Sequence, residues 1–462
     1  MIETPVNFTP ADMICPKDAM GNVLYQGKPV IEEWDVNIPK DGFIRDFCLA
    51  TKGKATPSKF SAWSAMWLIS SVIKRDAWLQ WDPHELWGNL WVIIVAPPKW
   101  FGKSTVADDY CDEILQEFIQ HIHDPLEKAR KNQRLFHGSV TIEALYKRLS
   151  EEIVVPVEGA DKDLKFKYSF GSLLLSEFGT FLGKARYKED IVQRLDDLYS
   201  SKSRDEVETI SRGVEILENT YITLLAATTP KALAQSMPES AQADGFMSRI
   251  IICKHSELEK SFTKPFPIIK DAISKLALKL AWIALYAKGE YVMCEEADRL
   301  YEEDFGKLVA RASEDPESDE IAAESRVDNL LLKTAMIVRA SRYELGNIIT
   351  KEDYLAARTM VFGVYQDTHE AMQLVGSSRD DINFNRVSSY IKKKGSVERV
   401  VVQRRFSAKN GGDGIRAPKL TEIIEQLLAE NDIAIYQDNK LLDRPTNHGS
   451  EIYKWIANGR MV

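Results

Sequence analysis

The sequence lacks the features that mark several large classes of protein. Its five cysteines, Cys15, Cys48, Cys111, Cys253 and Cys294, are far apart, and no CxxC pair or Cys/His cluster occurs. That argues against a zinc site and a disulfide framework, and a reducing interior fits best. His121 and His123 lie two apart, which on a helix puts them on different faces, so they read as surface residues rather than metal ligands. No apolar run approaches the ~20 residues of a membrane span. The acidic start has no apolar core segment, so no secretory leader and no membrane association are expected. Basic charge is also short: the net charge is −9. Any contact with nucleic acid must therefore rest on a local basic patch. Internal repeats and low-complexity tracts are absent.

What is present is an ordinary globular composition, 44% apolar and 28% charged over 462 residues, enough chain for about three domains. Residues 1–40 are rich in Pro, Asp, Asn and Gly and read as an arm or irregular cap. After Pro57-Ser58, Phe60, Trp63 and Trp67 recur at helical spacing, which predicts a buried helix; a stacking platform for a ligand is the alternative. Four short, β-branched or fully apolar runs follow, at 90–96, 172–176, 221–227 and 249–253. Helical patterns alternate with them, beginning with 104–122. This predicts an α/β fold with a parallel sheet. From Asp271 the period is helical to about residue 375, broken by the acidic stretch 313–320, which reads as a solvated loop. Composition shifts again at 376-GSSRDD-381. The expected domains are an N-terminal arm and helical region (1–85), an α/β core (86–260), a helical lid (261–375) and a C-terminal domain (382–462).

The chemistry centres on 92-VIIVAPPKWFGKSTVADDY-110. A phosphate-binding loop needs a strand, a tight turn of backbone N–H groups, a lysine, and a hydroxyl at a helix start. Gly102-Lys103-Ser104 follows a predicted strand and opens a predicted helix. Pro97 replaces the first glycine of such a loop, and Trp100 replaces a small residue. Proline donates no N–H yet can turn the chain, whereas a bulky residue resists left-handed dihedrals. The run 173-LLLSEFG-179 then ends a strand on Glu177, where a carboxylate can polarise water for attack on a γ-phosphate. Ser176 stands where an aspartate would support a metal, and a merely exposed glutamate is the alternative. In 225-LAATTP-230, Thr228 and Thr229 end the next strand, where a hydroxyl can sit between the two core strands and hold the attacking water. Arg249 precedes the fourth strand, where an arginine can stabilise transferred phosphoryl charge.

Together, APPKWFGKST, LLLSEFG, LAATTP and GFMSR resemble the AAA+ P-loop ATPases of the minichromosome-maintenance helicase kind. They are closer still to the primase-helicase-like ATPase domain of phage and plasmid proteins. Segments similar to 139-SVTIEALYKRL-149 and 194-RLDDLYSS-201 occur there too, and the likeness covers roughly residues 60–360. It implies that ATP is held by Pro98, Lys99, Trp100, Phe101, Gly102, Lys103, Ser104 and Thr105, with Ser104 and Glu177 on Mg²⁺. It implies that Glu177 is the catalytic glutamate and Thr229 the polar sensor, where the family usually has asparagine. Arg249 would be an arginine finger acting across a subunit boundary, and Arg326 a second-sensor arginine on the lid helix, with a plain surface arginine as the alternative. It also implies a ring homo-oligomer, expected as a hexamer, and a β-hairpin within 208–221 that points into the pore. Gly213 suits its turn, and Arg212, aided by Lys202 and Arg204, would grip single-stranded or forked DNA; a solvated loop is the alternative.

The C-terminal segment holds the charge that the whole chain hides. Between Arg386 and Lys419 there are ten basic residues and two acidic ones, a local excess of eight. Its pattern of helices at 384–394, 397–407 and 419–430, then two strands, resembles a winged helix. Glu422, Glu425 and Glu430 on the third helix would repel DNA. Phosphate contacts are therefore expected from Lys392, Lys393, Lys394, Arg404 and Arg405, with protein docking as the alternative. The function expected is an ATP hydrolase that translocates DNA, a replicative helicase of a phage or mobile element acting in the cytoplasm of a bacterial or infected cell. The alternative is an ATP-binding initiator, loader or DNA-binding scaffold, including a defence complex, without unwinding activity. No zinc-ligand cluster or defensible acidic pair marks a primase, so priming would fall to a separate partner.

Overall fold

The computed structural model describes residues 24–25, 28–29, 33–52, 56–81, 83–98, 101–138, 140–155, 164–182, 188–209, 213–238, 241, 245–255, 270–314, 326–374, 379–406, 415–438, 440–446, 450–457 and 460–461. It divides into two compact units, Met1–Gly376 and Ser377–Val462.

The first unit is organised by β-branched strands. After α1 (Gly42–Thr51) and α2 (Ser58–Ile73) come β1 (Ala77–Trp81), β2 (His84–Trp87) and β3 (Trp91–Val95). A helical segment, α3 (Asp112–Phe118), α4 (Pro125–Lys131) and the edge strand β4 (Leu135–His137) follow. Then come α5 (Ile142–Ser150), the hairpin β5 (Ile153–Val155) and β6 (Leu164–Phe166), and β7 (Phe170–Leu175). The chain continues through α6 (Phe178–Phe181), α7 (Lys188–Tyr199), the hairpin β8 (Arg204–Thr209) and β9 (Gly213–Glu218), β10 (Tyr221–Thr228), α8 (Pro230–Ser236) and β11 (Ile251–Lys254). Strands β11-β3-β10-β7-β4 form one sheet in that order, and every pair is parallel. The four apolar runs of the sequence are four of these five strands.

Alternation along the strands decides the layers. Val92, Ile94, Leu174, Leu225 and Ile251 face one core, shared with α1, α2 and the later helices. Trp91, Ile93, Leu173, Leu175, Leu224 and Ile252 face the other, shared with α5 to α8. A sheet covered on both faces needs strands that are apolar throughout, and β3 and β10 are buried at every position. Helix α2 is buried at every position but Lys59, because sheet and helices enclose it, and its polar side chains there are small serines. Trp63 and Trp67 are fully buried, so they are core and not a platform. Their indole N–H groups find no acceptor among the described residues, at a cost of about 1–3 kcal/mol each.

The unit closes with α9 (Lys270–Tyr286), β12 (Gly289–Met293), α10 (Glu295–Glu314), α11 (Val327–Ala340), β13 (Ile348–Ile349) and α12 (Lys351–Leu374). A second sheet, β13-β12-β1-β2, is not expected from the sequence: β12 and β13 lie within the stretch read as helical, and β1 and β2 lie between the helix expected after Pro57 and the first expected strand. It joins the N-terminal region to the lid region, since β1 pairs with β12 in parallel. The expected solvated loop 313–320 falls almost entirely outside the described residues.

The second unit contains α13 (Arg379–Lys394), β14 (Ser396–Glu398), α14 (Arg399–Phe406), α15 (Ala417–Ala429), β15 (Ile433–Gln437), β16 (Lys440–Leu442) and β17 (Ile452–Ala457). Its antiparallel sheet has the order β14-β17-β15-β16, and its own core includes Val387, Ile391, Leu427 and Tyr453. No helix among the described residues is long and apolar enough to cross a membrane.

Candidate functional site

The strand order fixes which residues meet. Leaving β3, the chain passes two strand positions to reach edge strand β4, returns through β7 and β10, and then adds β11 on the far side of β3. Connections thus depart in opposite directions around β3 and β10, and their carboxyl ends form a switch-point crevice. Ala96, Pro97 and Pro98 leave β3 at this crevice; Lys99 and Trp100 lie outside the described residues. Gly102 has φ of +54°, the left-handed region where glycine alone is unstrained. Its carbonyl accepts from Val106 N at 3.0 Å and from Thr56 Oγ1 at 3.2 Å. Phe101 is buried and meets the His255 ring edge-on at 5.7 Å. Helical structure starts at Lys103, with Ser104 exposed on its first turn, and passes through a π-helical stretch, Thr105–Cys111, into α3.

Lys103 folds back over the end of β3. Its Nζ donates to the carbonyls of Ala96 at 2.7 Å and Pro97 at 2.9 Å. Partial burial pulls its pKa below the lysine range, and the nearby carboxylate of Glu177 opposes that shift. Glu177, exposed, follows β7 and stands at the start of α6. Thr228, fully buried, donates from Oγ1 to Glu177 Oε1 at 3.4 Å. Thr229 is used otherwise: its hydroxyl caps α8 by accepting from Ala232 N at 3.1 Å, with Pro230 in the first turn. The hydroxyl between the two core strands is therefore that of Thr228. Flanking acids and a histidine were not singled out in the sequence. His137, at the end of β4, lies 4.0 Å from Asp112, and burial and Asp109 raise the pKa of Asp108. Among the described residues no group of three or more His, Cys, Asp or Glu is placed to hold a metal.

No protein-family model and no curated protein matches this chain.

The remaining site residues assemble at the opposite edge of the sheet. Arg249, largely buried, precedes β11; its Nε lies 2.8 Å from Asp196 Oδ1 and its Nη1 donates to the Gly245 carbonyl. Lys333, on α11, is buried beside it. Its Nζ donates to Asn89 Oδ1 at 2.8 Å and Tyr199 Oη at 3.1 Å, and lies 4.2 Å from the centre of the Tyr199 ring. Burial, then the charges of Arg326 and Arg249, bring its pKa down to about 7. Arg326 stands just before α11, half-buried. A strand of five residues at about 3.3 Å per residue puts this cluster roughly 16 Å from the Lys103 edge. Arg249 and Arg326 therefore do not serve the Lys103 and Glu177 of their own chain.

The expected hairpin is present as β8 and β9, antiparallel, with Thr209 paired to Gly213; Arg212 lies outside the described residues. Lys202 pairs with Asp197 at 2.8 Å and Asp205 at 3.7 Å, and Arg204 with Glu206 at 2.6 Å. Acidic neighbours thus already engage both expected phosphate contacts. In the second unit, Lys392, Lys393 and Lys394 are exposed in the last turn of α13, where they also complement the helix dipole. Arg404 and Arg405 are exposed on α14, with Arg405 over the Tyr390 ring at 4.6 Å. Arg399, in contrast, is buried in a pair with Glu451 at 3.0 Å.

Proposed function

We propose that this chain is an ATP-hydrolysing motor acting on DNA, with ATP and Mg²⁺ at the Lys103 edge of its parallel sheet. The observation that supports it is the placing of β10 between β3 and β7. That order sets a lysine, a carboxylate and a hydroxyl, far apart in sequence, at one crevice in front of a helix N-terminus. Lys103 would neutralise phosphate charge, while backbone N–H groups and the helix dipole orient it. The exposed Ser104 hydroxyl and Glu177 carboxylate suit a cation that keeps several waters and takes few protein ligands. Glu177, oriented by Thr228, would accept a proton from the attacking water. Arg249 would reach the site of an adjoining chain in a ring, and single-stranded DNA would be moved by backbone contacts sensitive to salt. The second unit, a winged helix in this reading, would add phosphate contacts through Lys392–Lys394, Arg404 and Arg405.

Phosphate release with and without single-stranded DNA tests this reading. Turnover rises with DNA in the wild type. Glu177→Gln lowers it by roughly 10²- to 10⁴-fold and still binds a fluorescent ATP analogue. Equal turnover in the variant removes Glu177 from its role.

A second reading is an ATP-binding initiator or scaffold that does not unwind. It is favoured by the engagement of Arg249 with Asp196 and of Lys202 and Arg204 with carboxylates. ATP binding without turnover or strand separation selects it.

A further inference from the structure

A cleft of about 350 Å³ opens at the amino-terminal edge of the large sheet, away from Lys103. Its volume lies within the range of ligand sites. Phe170, at the start of β7, and Tyr168 form one wall. Alternate residues of an extended segment share a face, so Phe166, Tyr168 and Phe170 stack in a column. The ring centres are 6.0 Å and 5.2 Å apart and the planes within 12° and 14° of parallel. All three rings are half-buried rather than enclosed. The facing wall is cationic. The Arg75 guanidinium lies 4.3 Å from the Trp87 ring centre and is held by the carbonyls of Ser201 and Lys202, at the base of the β8–β9 hairpin. Arg130, which pairs with Glu127 and Asp76 at 3.1 Å each, and Lys74, buried and donating to the carbonyls of Arg130 and Asn132, complete the lining; Asp76 is also engaged by Lys131 at 2.7 Å.

We infer that this cleft binds single-stranded nucleic acid, with bases packed edge-on against the open side of the Phe166–Tyr168–Phe170 column and a phosphate beside Arg75 and Arg130. The fit is one of paired chemistries: half-buried aromatic rings next to fixed cations suit a polyanion that carries planar rings. A duplex hides its rings and does not fit. A lone mononucleotide sets one base against this column, whereas a strand sets several along it. The inference gives the proposed DNA partner a specific seat and rests on that half of the functional reading, independently of ATP turnover.

The test is fluorescence anisotropy of labelled oligothymidylate with the full chain, nucleotide absent. Wild type binds. Tyr168→Ala weakens binding about 2- to 13-fold, the span of an edge-on aromatic contact, while Tyr168→Phe stays near wild type. Effective competition by duplex or by AMP overturns the inference. Oligonucleotide binding by Tyr168→Ala within twofold of wild type sinks the cleft but leaves the DNA reading standing; failure of the wild type to bind sinks both. Should Tyr168→Ala not fold, photocrosslinking of wild type to an oligonucleotide bearing 4-thiothymidine decides. Adducts on 166–170 support the seat, and adducts only elsewhere reject it.

Discussion

The two edges of the large parallel sheet differ in how they hold charge. At the carboxyl edge, Glu177 is exposed, Ser104 is exposed, and Lys103 donates to carbonyls alone among the described residues. At the amino edge, Arg249 and Lys333 are buried, one against a carboxylate and the other against an amide and a phenol. The first edge can exchange its partners for a ligand without unfolding anything. The second is part of the packing, so any role for Arg249 in phosphoryl transfer requires a neighbouring chain and the release of Asp196. One set of residues that reads as a single catalytic inventory in the sequence is thus two sets with different physical constraints.

The sharpest test of that division mixes chains. Arg249→Ala alone lowers turnover roughly a thousandfold or more if it acts across a boundary. A mixture of Arg249→Ala and Glu177→Gln chains then recovers turnover that neither has alone, because some boundaries join an intact carboxylate to an intact arginine. Absence of recovery confines Arg249 to its own chain, as a packing residue.

The second test concerns Lys333. The unfolded chain keeps this proton to about pH 10.4, and the folded chain loses it near pH 7. Between those values the unfolded state binds more protons, so the burial penalty, complete below pH 7, is relieved as pH rises. Lys333→Met therefore gains stability relative to wild type at pH 6.5, and that advantage shrinks by about 2 kcal/mol by pH 9, measured by urea unfolding. A pH-independent difference shows that the folded state holds Lys333 charged. The smallest effect is expected at the carboxyl edge: Thr228→Val removes a single hydroxyl, worth about 1 kcal/mol, and slows turnover roughly fivefold while Thr229→Val leaves turnover unchanged and lowers thermal stability.

The sequence carried the sheet well where strands are long and buried on both faces, as in 90–96 and 221–227. It did not carry β4, three residues with a single fully buried side chain, Phe136. Nor did it carry the second sheet, whose strands β1 and β12 find each other across some two hundred residues with no local period to announce them. At the site, Lys103 and Glu177 were legible because strand ends point residues at one crevice. The choice between Thr228 and Thr229 depends on strand phase, yet a signal was available: proline in the first turn of a helix marks the preceding threonine as its cap. Asp196 was invisible as the partner of Arg249, since nothing local joins positions more than fifty residues apart.

Lys103 has one more consequence. With its ammonium seated on the carbonyls of Ala96 and Pro97, just past β3, the loop closes upon itself, and in the proposed reading an incoming polyphosphate would have to displace those carbonyls before it gained the cation. Net affinity is then the difference between two occupants of the same three N–H bonds. Replacing that lysine by arginine, whose planar fork presents its N–H groups in a different geometry, would shift the exchange without removing the charge.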